Sequence, residues 1–190
     1  ILFSKFIVSV VTVLSLIILP QIIGIGIVNI TNNIEASNYP VRIEQKYEKQ
    51  FDQNSQEMIM EQVPNTSKMV TNNEFVLRSF GYQTIFIITA CSVVFMISTI
   101  FKSSMISMAV SVILTIFLTI GTQTIGTIRD YSHLLFTTYA DSSSVINSNL
   151  PLMYQNTNLT IVNGIICMTL TSVIAYTISH INFTKKDILI

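Results

Sequence analysis

The stretch FGYQTIFIITACSVVFMISTIFKSSMISMAVSVILTIFLTIGTQTI, residues 80–125, contains the strongest fold signal in the chain. Its two apolar runs, 80–101 and 105–125, are separated only by Lys-Ser-Ser at 102–104. As a helix, each run is long enough to cross the roughly 30 Å hydrocarbon core of a bilayer. Because a lysine at the centre of that core would cost about 3 kcal/mol, we place Lys102 at the bilayer surface. The stretch is therefore predicted to be a helical hairpin that crosses a membrane twice.

Two further apolar runs, 6–28 and 159–181, flank this hairpin. Half of all residues are hydrophobic and 11% are charged, against roughly a quarter charged in a soluble domain. The sequence therefore predicts one all-α membrane domain over residues 1–190, with four transmembrane helices and the lipid bilayer as its main partner. Pro20 predicts a kink in the first helix. The basic residues do not form the clustered face of a nucleic-acid binder, so no nucleic-acid partner is expected.

Polar residues dominate the two remaining segments, 29–79 and 126–158. Both are predicted to lie in water on the same, outer side of the membrane. In the first segment, Pro40 looks like a helix start. Apolar residues then recur four positions apart, which predicts a weak amphipathic helix: Ile43, Tyr47 and Phe51.

The second polar segment also contains apolar clusters, which could form short re-entrant or surface helices at the membrane interface. The clusters are Leu134–Phe136 with Tyr139, and Leu150–Met153.

Positive charge next to the spans indicates which way the chain crosses the membrane, because basic residues concentrate on the cytoplasmic side. Arg78 and Arg129 flank the spans on the side of the polar segments. If the other basic residues of segment 29–79 are counted as well, the balance of positive charge favours the opposite orientation. The flanking count favours cytoplasmic termini, and the residues on that side are Lys5, Lys102, Lys185 and Lys186.

Sequence motifs for catalysis are missing along the whole chain. There is no phosphate-binding loop, Gly-rich dinucleotide turn, His-Glu-x-x-His pattern or Gly-x-Ser-x-Gly elbow. Cys91 and Cys167 lie inside apolar runs without metal-type spacing and are interpreted as apolar filler. We therefore expect no enzyme activity, no cofactor and no metal.

The third apolar run carries a row of hydroxyl side chains spaced four residues apart, which places them on one side of a helix. Small hydroxylated residues in membranes most often serve helix packing, and lining a mildly polar transport pathway is the alternative. The row consists of Ser107, Ser111, Thr115 and Thr119.

Four local stretches resemble, in the same order, the permease subunits of bacterial type-2 ATP-binding cassette exporters. They are Ser4-Lys5-Phe6 before the first run, residues 75–80, residues 98–109 around the hairpin turn, and residues 181–189 at the end. The family's helices turn at a similar short basic and serine break. The polar segment 29–79 is longer than the corresponding segment of that family.

This resemblance implies that the chain corresponds to helices three to six of a six-helix permease. The chain begins with Ile1 rather than Met, and we expect a fragment that lacks the first two helices. Such permeases pair with a second permease copy or homologue and with separate ATP-hydrolysing subunits. The resemblance implies contacts to that ATPase near Lys5, Lys102 and Ser104.

Two functions follow as hypotheses. The first is a permease of the bacterial cell membrane that exports an amphipathic or apolar substrate, such as a peptide, antibiotic or lipid. The alternative is a non-transporting sensor or scaffold whose segment 29–79 binds a ligand or partner.

The first hypothesis predicts that an ATPase subunit co-purifies with the full-length protein and dissociates as ionic strength rises, because salt screens contacts made by lysines. Replacing Lys5, Lys102 and Ser104 together should reduce the amount of ATPase recovered in a pull-down at low salt. Recovery unchanged by this triple replacement would contradict the predicted contacts.

Overall fold

The computed structural model of the chain describes residues 2–31, 38–52, 57–101 and 103–187. Within them, four helices are long and apolar enough to cross a membrane, which confirms this part of the predicted fold. Their bounds are α1, Leu2–Thr31; α2, Asn72–Ile100; α3, Ser104–Thr124; and α7, Ile161–Asp187. Helix α1 runs on as one helix through Pro20.

The segment between α1 and α2 forms strands, so the amphipathic helix predicted to start at Pro40 is wrong, and with it the all-α description of this segment. In the described part of the chain, β1 (Pro40–Ile43) pairs with β4 (Lys68–Thr71), and β2 (Tyr47–Asp52) pairs with β3 (Glu57–Gln62). Both pairs are antiparallel.

The four-residue spacing of Ile43, Tyr47 and Phe51 suggested a helix, but any even spacing also places residues on one face of a strand. The strands are not even continuous here. Glu44 adopts a positive φ of 56°, a backbone conformation that fits neither a helix nor a strand. Ile43 is fully buried whereas Phe51 is 60% exposed, so the three residues do not form one apolar stripe.

Short helices fill the segment between α3 and α7. They are α4 (Gly126–Asp130), two 3₁₀ turns (Ser132–Leu134 and Phe136–Tyr139), α5 (Ser142–Ile146) and α6 (Leu150–Tyr154). Of the two apolar clusters that could lie at the membrane interface, Tyr139 and Leu150 are buried inside the protein, whereas Leu134, Leu152 and Met153 are exposed. Each cluster therefore packs only partly into the protein's own core, and an interface role of its exposed residues stays a prediction.

The two polar segments meet at one end of the helix bundle, and we call this assembly the cap. The Glu44 amide donates a hydrogen bond to the Ile146 carbonyl at 3.3 Å, which joins the strands to α5. Ile43 packs in a single core cluster with residues of the short helices and of the ends of α2 and α7. That cluster comprises Ile43, Tyr82, Tyr139, Val145, Ile146, Leu150, Tyr154, Leu159 and Met168.

Helices α2 and α7 form the most extensive helix contact in the described structure. The buried Thr89 hydroxyl donates to the Met168 carbonyl at 3.1 Å, and the hydroxyls of Ser92 and Ser172 lie 2.8 Å apart. Small polar side chains that bond across helices in this way are typical of packing inside membranes.

At Gly164, the backbone of α7 lies close to two tyrosine side chains, which adds to the contact between α2 and α7. A Cβ atom at this position would overlap the Tyr82 hydroxyl and would lie 2.8 and 2.9 Å from two ring carbons of Tyr139. Glycine therefore lets α7 pack directly against the two tyrosines, one from α2 and one from the cap.

Gly164→Ala should lower the stability of the protein by about 1–3 kcal/mol, the usual cost of overpacking a core. Thermal unfolding in detergent would measure the change, and Gly81→Ala on α2 is the matched control because a Cβ there meets no atom within 4 Å. Adding Tyr82→Phe should recover part of the loss, because it removes the overlapping hydroxyl. A Gly164→Ala variant that melts like Gly81→Ala would contradict this account of the α2–α7 contact.

Candidate functional site

A groove of about 430 Å³ lies between α1 and α2 near their cap ends. Most of the surface area inside it is apolar and comes from Ile25 and Val28 on α1 and from Phe75, Val76 and Phe80 on α2. Polar side chains from both helices interrupt this surface. The polar lining residues are Gln21, Asn29, Asn72, Asn73, Ser79 and Gln83, together with Ser143 of the cap. The groove thus combines an apolar surface with several hydrogen-bonding groups.

Two polar atoms in the walls of this groove are buried without a hydrogen-bond partner among the described residues. They are Gln21 Oε1 on α1 and Ser79 Oγ on α2. A buried polar atom that makes no hydrogen bond costs about 1–3 kcal/mol. Such atoms are rare in folded proteins and therefore mark this groove as a candidate binding site.

The opposite end of α1 is held by aromatic side chains. The Phe6 ring lies 5.5 Å from the ring of Phe95 on α2 and 5.4 Å from that of Tyr176 on α7, while Phe3 contacts Tyr176 at 6.4 Å. Aromatic pairs at these centroid distances are favourable. Helix α1 is thus fastened at the end far from the cap, and the groove opens beside its other end.

The predicted row of hydroxyls on α3 does not share one environment. Ser107 and Ser111 are buried, whereas Thr115 and Thr119 are more accessible. Each hydroxyl donates to the backbone carbonyl four residues earlier on the same helix, at 2.8–3.0 Å. None of these four residues lines the α1–α2 groove. A role of this row in a pathway stays a prediction.

The residues predicted to contact an ATPase lie at the end of the bundle far from the cap. Lys5 is exposed near the start of α1, and Ser104 is exposed at the first position of α3. Lys102 lies outside the described residues. Since α1 begins and α3 begins at this same end, the structure brings Lys5 and Ser104 to one side of the bundle.

In the cap, one buried asparagine organises the chain that follows α4. The Asn156 side-chain amide donates to the Asp130 carbonyl at 3.0 Å and to the Ser132 hydroxyl at 3.1 Å. Its Oδ1 accepts from the Asn158 amide at 3.0 Å. Asn156 is only 6% exposed. These bonds join the chain segment at Asp130 and Ser132 to the segment at Asn156 and Asn158.

An ionic network connects the strands to the start of α2. The Glu44 carboxylate pairs with Lys68 at 2.6 Å and with Arg78 at 3.2 Å, and Arg78 also pairs with Glu74 at 2.6 Å. The hydrogen bond from Lys68 lowers the pKa of Glu44; burial acts in the opposite direction, and the charges of Lys68 and Arg78 lower it further.

A second cavity, of about 720 Å³, lies in the cap between the strands and the start of α7. One wall comes from the strand segment and consists of residues 44–48 with Thr66 and Lys68. The other wall comes from the second polar segment and from α7. Its residues are Ser148, Pro151, Thr157, Leu159, Thr160, Ile161 and Val162. We call this space the cap cavity.

No group of His, Cys, Asp and Glu side chains within the described ranges could hold a metal ion. Cys91 and Cys167 are free thiols in α2 and α7.

Sequence reasoning missed both cavities and the Gly164 contact. Gly164 did carry a signal, because a single glycine inside an otherwise apolar helix often marks a close approach. Glu44 carried no such signal, since its ion pairs depend on a backbone turn and on residues far along the chain.

Compared with known proteins, the chain matches no family model, no curated protein and no solved structure.

The lowered pKa of Glu44 predicts that acid loosens the cap. A carboxyl group whose folded pKa is lowered stabilises the fold above its ordinary pKa of 4.5, and this contribution is lost as the pH falls through the lower folded value. Hydrogen exchange of the β1–β4 amides, corrected for the intrinsic rate, should accelerate in that range. Glu44→Gln should exchange faster at neutral pH and lose part of the acid dependence.

Glu61→Gln is the matched control for this prediction, since it removes the same charge from an exposed strand position. If Glu44→Gln and Glu61→Gln gave the same exchange profile as the unchanged protein, the ionic network would not hold the cap.

Proposed function

We propose that the chain is the membrane-spanning part of a bacterial export permease that moves an amphipathic or apolar substrate, driven by a separate ATP-hydrolysing subunit. The groove between α1 and α2 carries this proposal. Its apolar surface suits the body of such a substrate, and polar side chains in its lining, such as Asn73 and Gln83, suit polar groups. Binding sites for small molecules commonly combine these two features.

The position of α1 supports the same proposal. This helix exposes most of its apolar side chains and is fastened by aromatic contacts only at the end far from the cap. Movement of α1 relative to α2 would widen or narrow the groove between them. In a permease, such motion would give a substrate access from the side, within the bilayer.

Exposed apolar surface on α3 and α7 fits the remaining partners of the proposal. Met105, Met108, Val112 and Phe117 on α3, and Leu170 and Val173 on α7, are among the exposed side chains. They suit lipid, further permease helices and a second permease copy. In this proposal, the ATPase docks at the cytoplasmic side, near Lys5 and the α2–α3 turn. The cap then lies outside the cell, and both ends of the chain lie inside.

A sensor or scaffold is the second candidate function, and the cap cavity is the observation that favours it. This cavity includes residues 44–48 of the segment that the alternative hypothesis singles out. A ligand bound there would bridge the strands and α7 without passing between the helices. The two candidates therefore predict different sites of action, the groove for transport and the cap for sensing.

Gly24→Phe tests the transport proposal. Gly24 lines the groove, and a Cβ there meets no atom within 4 Å, so a phenylalanine side chain at this position begins in open space beside the groove. In cells or proteoliposomes that contain the full-length protein and its ATPase, this variant should reduce export of a fluorescent amphipathic peptide by about tenfold or more. That loss corresponds to about 1.4 kcal/mol at 25 °C.

Gly26→Phe is the matched control on the same helix. A Cβ at Gly26 also meets no atom within 4 Å, but Gly26 does not line the groove. Its variant should export at the normal rate. Equal export by both variants and the unchanged protein would overturn the role of the groove, and absence of any associated ATPase would overturn the permease proposal itself.

A further inference from the structure

Several large apolar side chains between α3 and α7 stay exposed although the segment has a buried core of its own. They are Tyr131, Leu134, Leu152 and Met153, with exposed fractions between 48% and 61%. Buried residues such as Ser132 and Tyr154 lie beside them in the chain, so the four side chains are on the outside of the cap. We call these four residues the apolar patch.

Asn156 joins the two chain segments that carry the apolar patch. Its side-chain amide donates to the Asp130 carbonyl at 3.0 Å and to the Ser132 hydroxyl at 3.1 Å. These two residues flank Tyr131 in the chain. The backbone N–H of Asn156 donates to the Pro151 carbonyl at 3.1 Å, in the short helix α6 that carries the other half of the patch. The two halves therefore lie on neighbouring segments that are hydrogen-bonded to each other.

The length of α3 indicates the depth at which the chain leaves the membrane. Its 21 residues, Ser104–Thr124, rise about 31 Å at about 1.5 Å per residue. The hydrocarbon core of a bilayer is roughly 30 Å thick, so α3 is just long enough to cross it. The end of α3 therefore lies at the border between acyl chains and headgroups, and the residues that follow start at the membrane surface.

Helix α4 keeps the chain close to this depth. The extended backbone of Ile125, with φ −103° and ψ 111°, ends α3 and changes the direction of the chain. A Cβ atom added at Gly121 would lie 3.5 Å from Ile128 Cδ1, so the Ile128 side chain of α4 lies against the last turn of α3. The Tyr131 amide donates to the Ile128 carbonyl at 3.1 Å. The apolar patch therefore begins beside the end of α3.

The exposed surface of α3 continues toward the apolar patch. Phe117, Ile120 and Ile125 are 59%, 54% and 45% exposed, and with α3 in a bilayer this surface faces lipid. Tyrosine is enriched where a membrane meets water, because its ring is apolar and its hydroxyl is polar. Tyr131 has this chemistry at the point where the chain leaves α3. Lipid is therefore the partner that fits the patch.

We propose that the apolar patch anchors the cap to the lipid surface beside α3. Tyr131 lies among the headgroups, and Leu134, Leu152 and Met153 lie at the boundary between headgroups and acyl chains, at the depth of roughly 5–10 Å that is typical of interfacial helices. The anchor requires only that α3 spans the bilayer. It is independent of whether the membrane helices transport a substrate, and it assigns a lipid contact to a segment outside the four spans.

Tryptophan fluorescence tests the anchor, because the chain contains no tryptophan of its own. Tyr131→Trp and Leu152→Trp each place one reporter in a different half of the patch. In the full chain reconstituted into liposomes, phospholipids brominated near the headgroup end of their acyl chains should quench both reporters. Bromine at the chain ends should quench them less, and acrylamide in the water should quench them only weakly.

Two exposed phenylalanines provide matched controls. Phe117 on α3 is 59% exposed and Phe51 on β2 is 60% exposed. Phe117→Trp lies inside a span, so bromine at the chain ends should quench it more than bromine near the headgroups. Phe51→Trp lies on a strand of the cap, so acrylamide should quench it strongly and neither brominated lipid should do so. These two variants give the fluorescence loss expected inside the bilayer and in water.

Two results would overturn the anchor. The first is a patch reporter that behaves like Phe51→Trp, quenched by acrylamide and not by brominated lipid. The second is a reporter shielded from both quenchers, which would assign the patch to a protein partner. All four patch side chains are exposed, so the variants should fold, which thermal unfolding would verify. Leu134→Trp and Met153→Trp repeat the measurement in each half of the patch if one of the first variants unfolds.

Discussion

The contact between α2 and α7 is the interaction on which the rest of the structure depends. These helices begin at the cap and run side by side, joined by the Thr89–Met168 and Ser92–Ser172 hydrogen bonds. Near the cap, Gly164 lets Tyr82 and Tyr139 pack against the α7 backbone. In lipid, apolar burial gives helices little reason to associate, so close packing and a few hydrogen bonds must hold them together. The same tyrosines belong to the cap core, which links the cap directly to this helix pair.

Both candidate sites lie beside the α2–α7 pair, where a neighbouring element leaves a space against one of its two helices. Helix α1 is attached by Phe3 and Phe6 at one end, which leaves the groove against α2 at the other. The strand segment reaches the pair through Ile43 and the Glu44 network, and the cap cavity remains beside the start of α7. The α2–α7 pair thus provides one wall of each space, α2 for the groove and α7 for the cap cavity.

Several features of the fold could be predicted because they depend on local composition. The four long helices follow from apolar runs of membrane-crossing length, and the tight α2–α3 connection follows from the short break at 102–104. The stretch from Pro40 through Phe51 was predicted as a weak amphipathic helix, since spacing by four residues fits a helix and a strand alike. Its strands depend on pairing between residues far apart in the chain, such as Pro40 with Thr71. Neither cavity could be predicted, because each is lined by residues from distant segments.

Composition alone established that the chain has more apolar surface than a water-soluble protein can bury, and that the excess lies in four uninterrupted runs. Helical hydrogen bonds are local, so such runs specify their own secondary structure wherever water is excluded. The two candidate sites could be recognised only from the tertiary structure. The pairing of Glu44 with Lys68 and Arg78 and the space between the strands and α7 both require segments remote in sequence to meet. Long-range packing, not local propensity, brings them together.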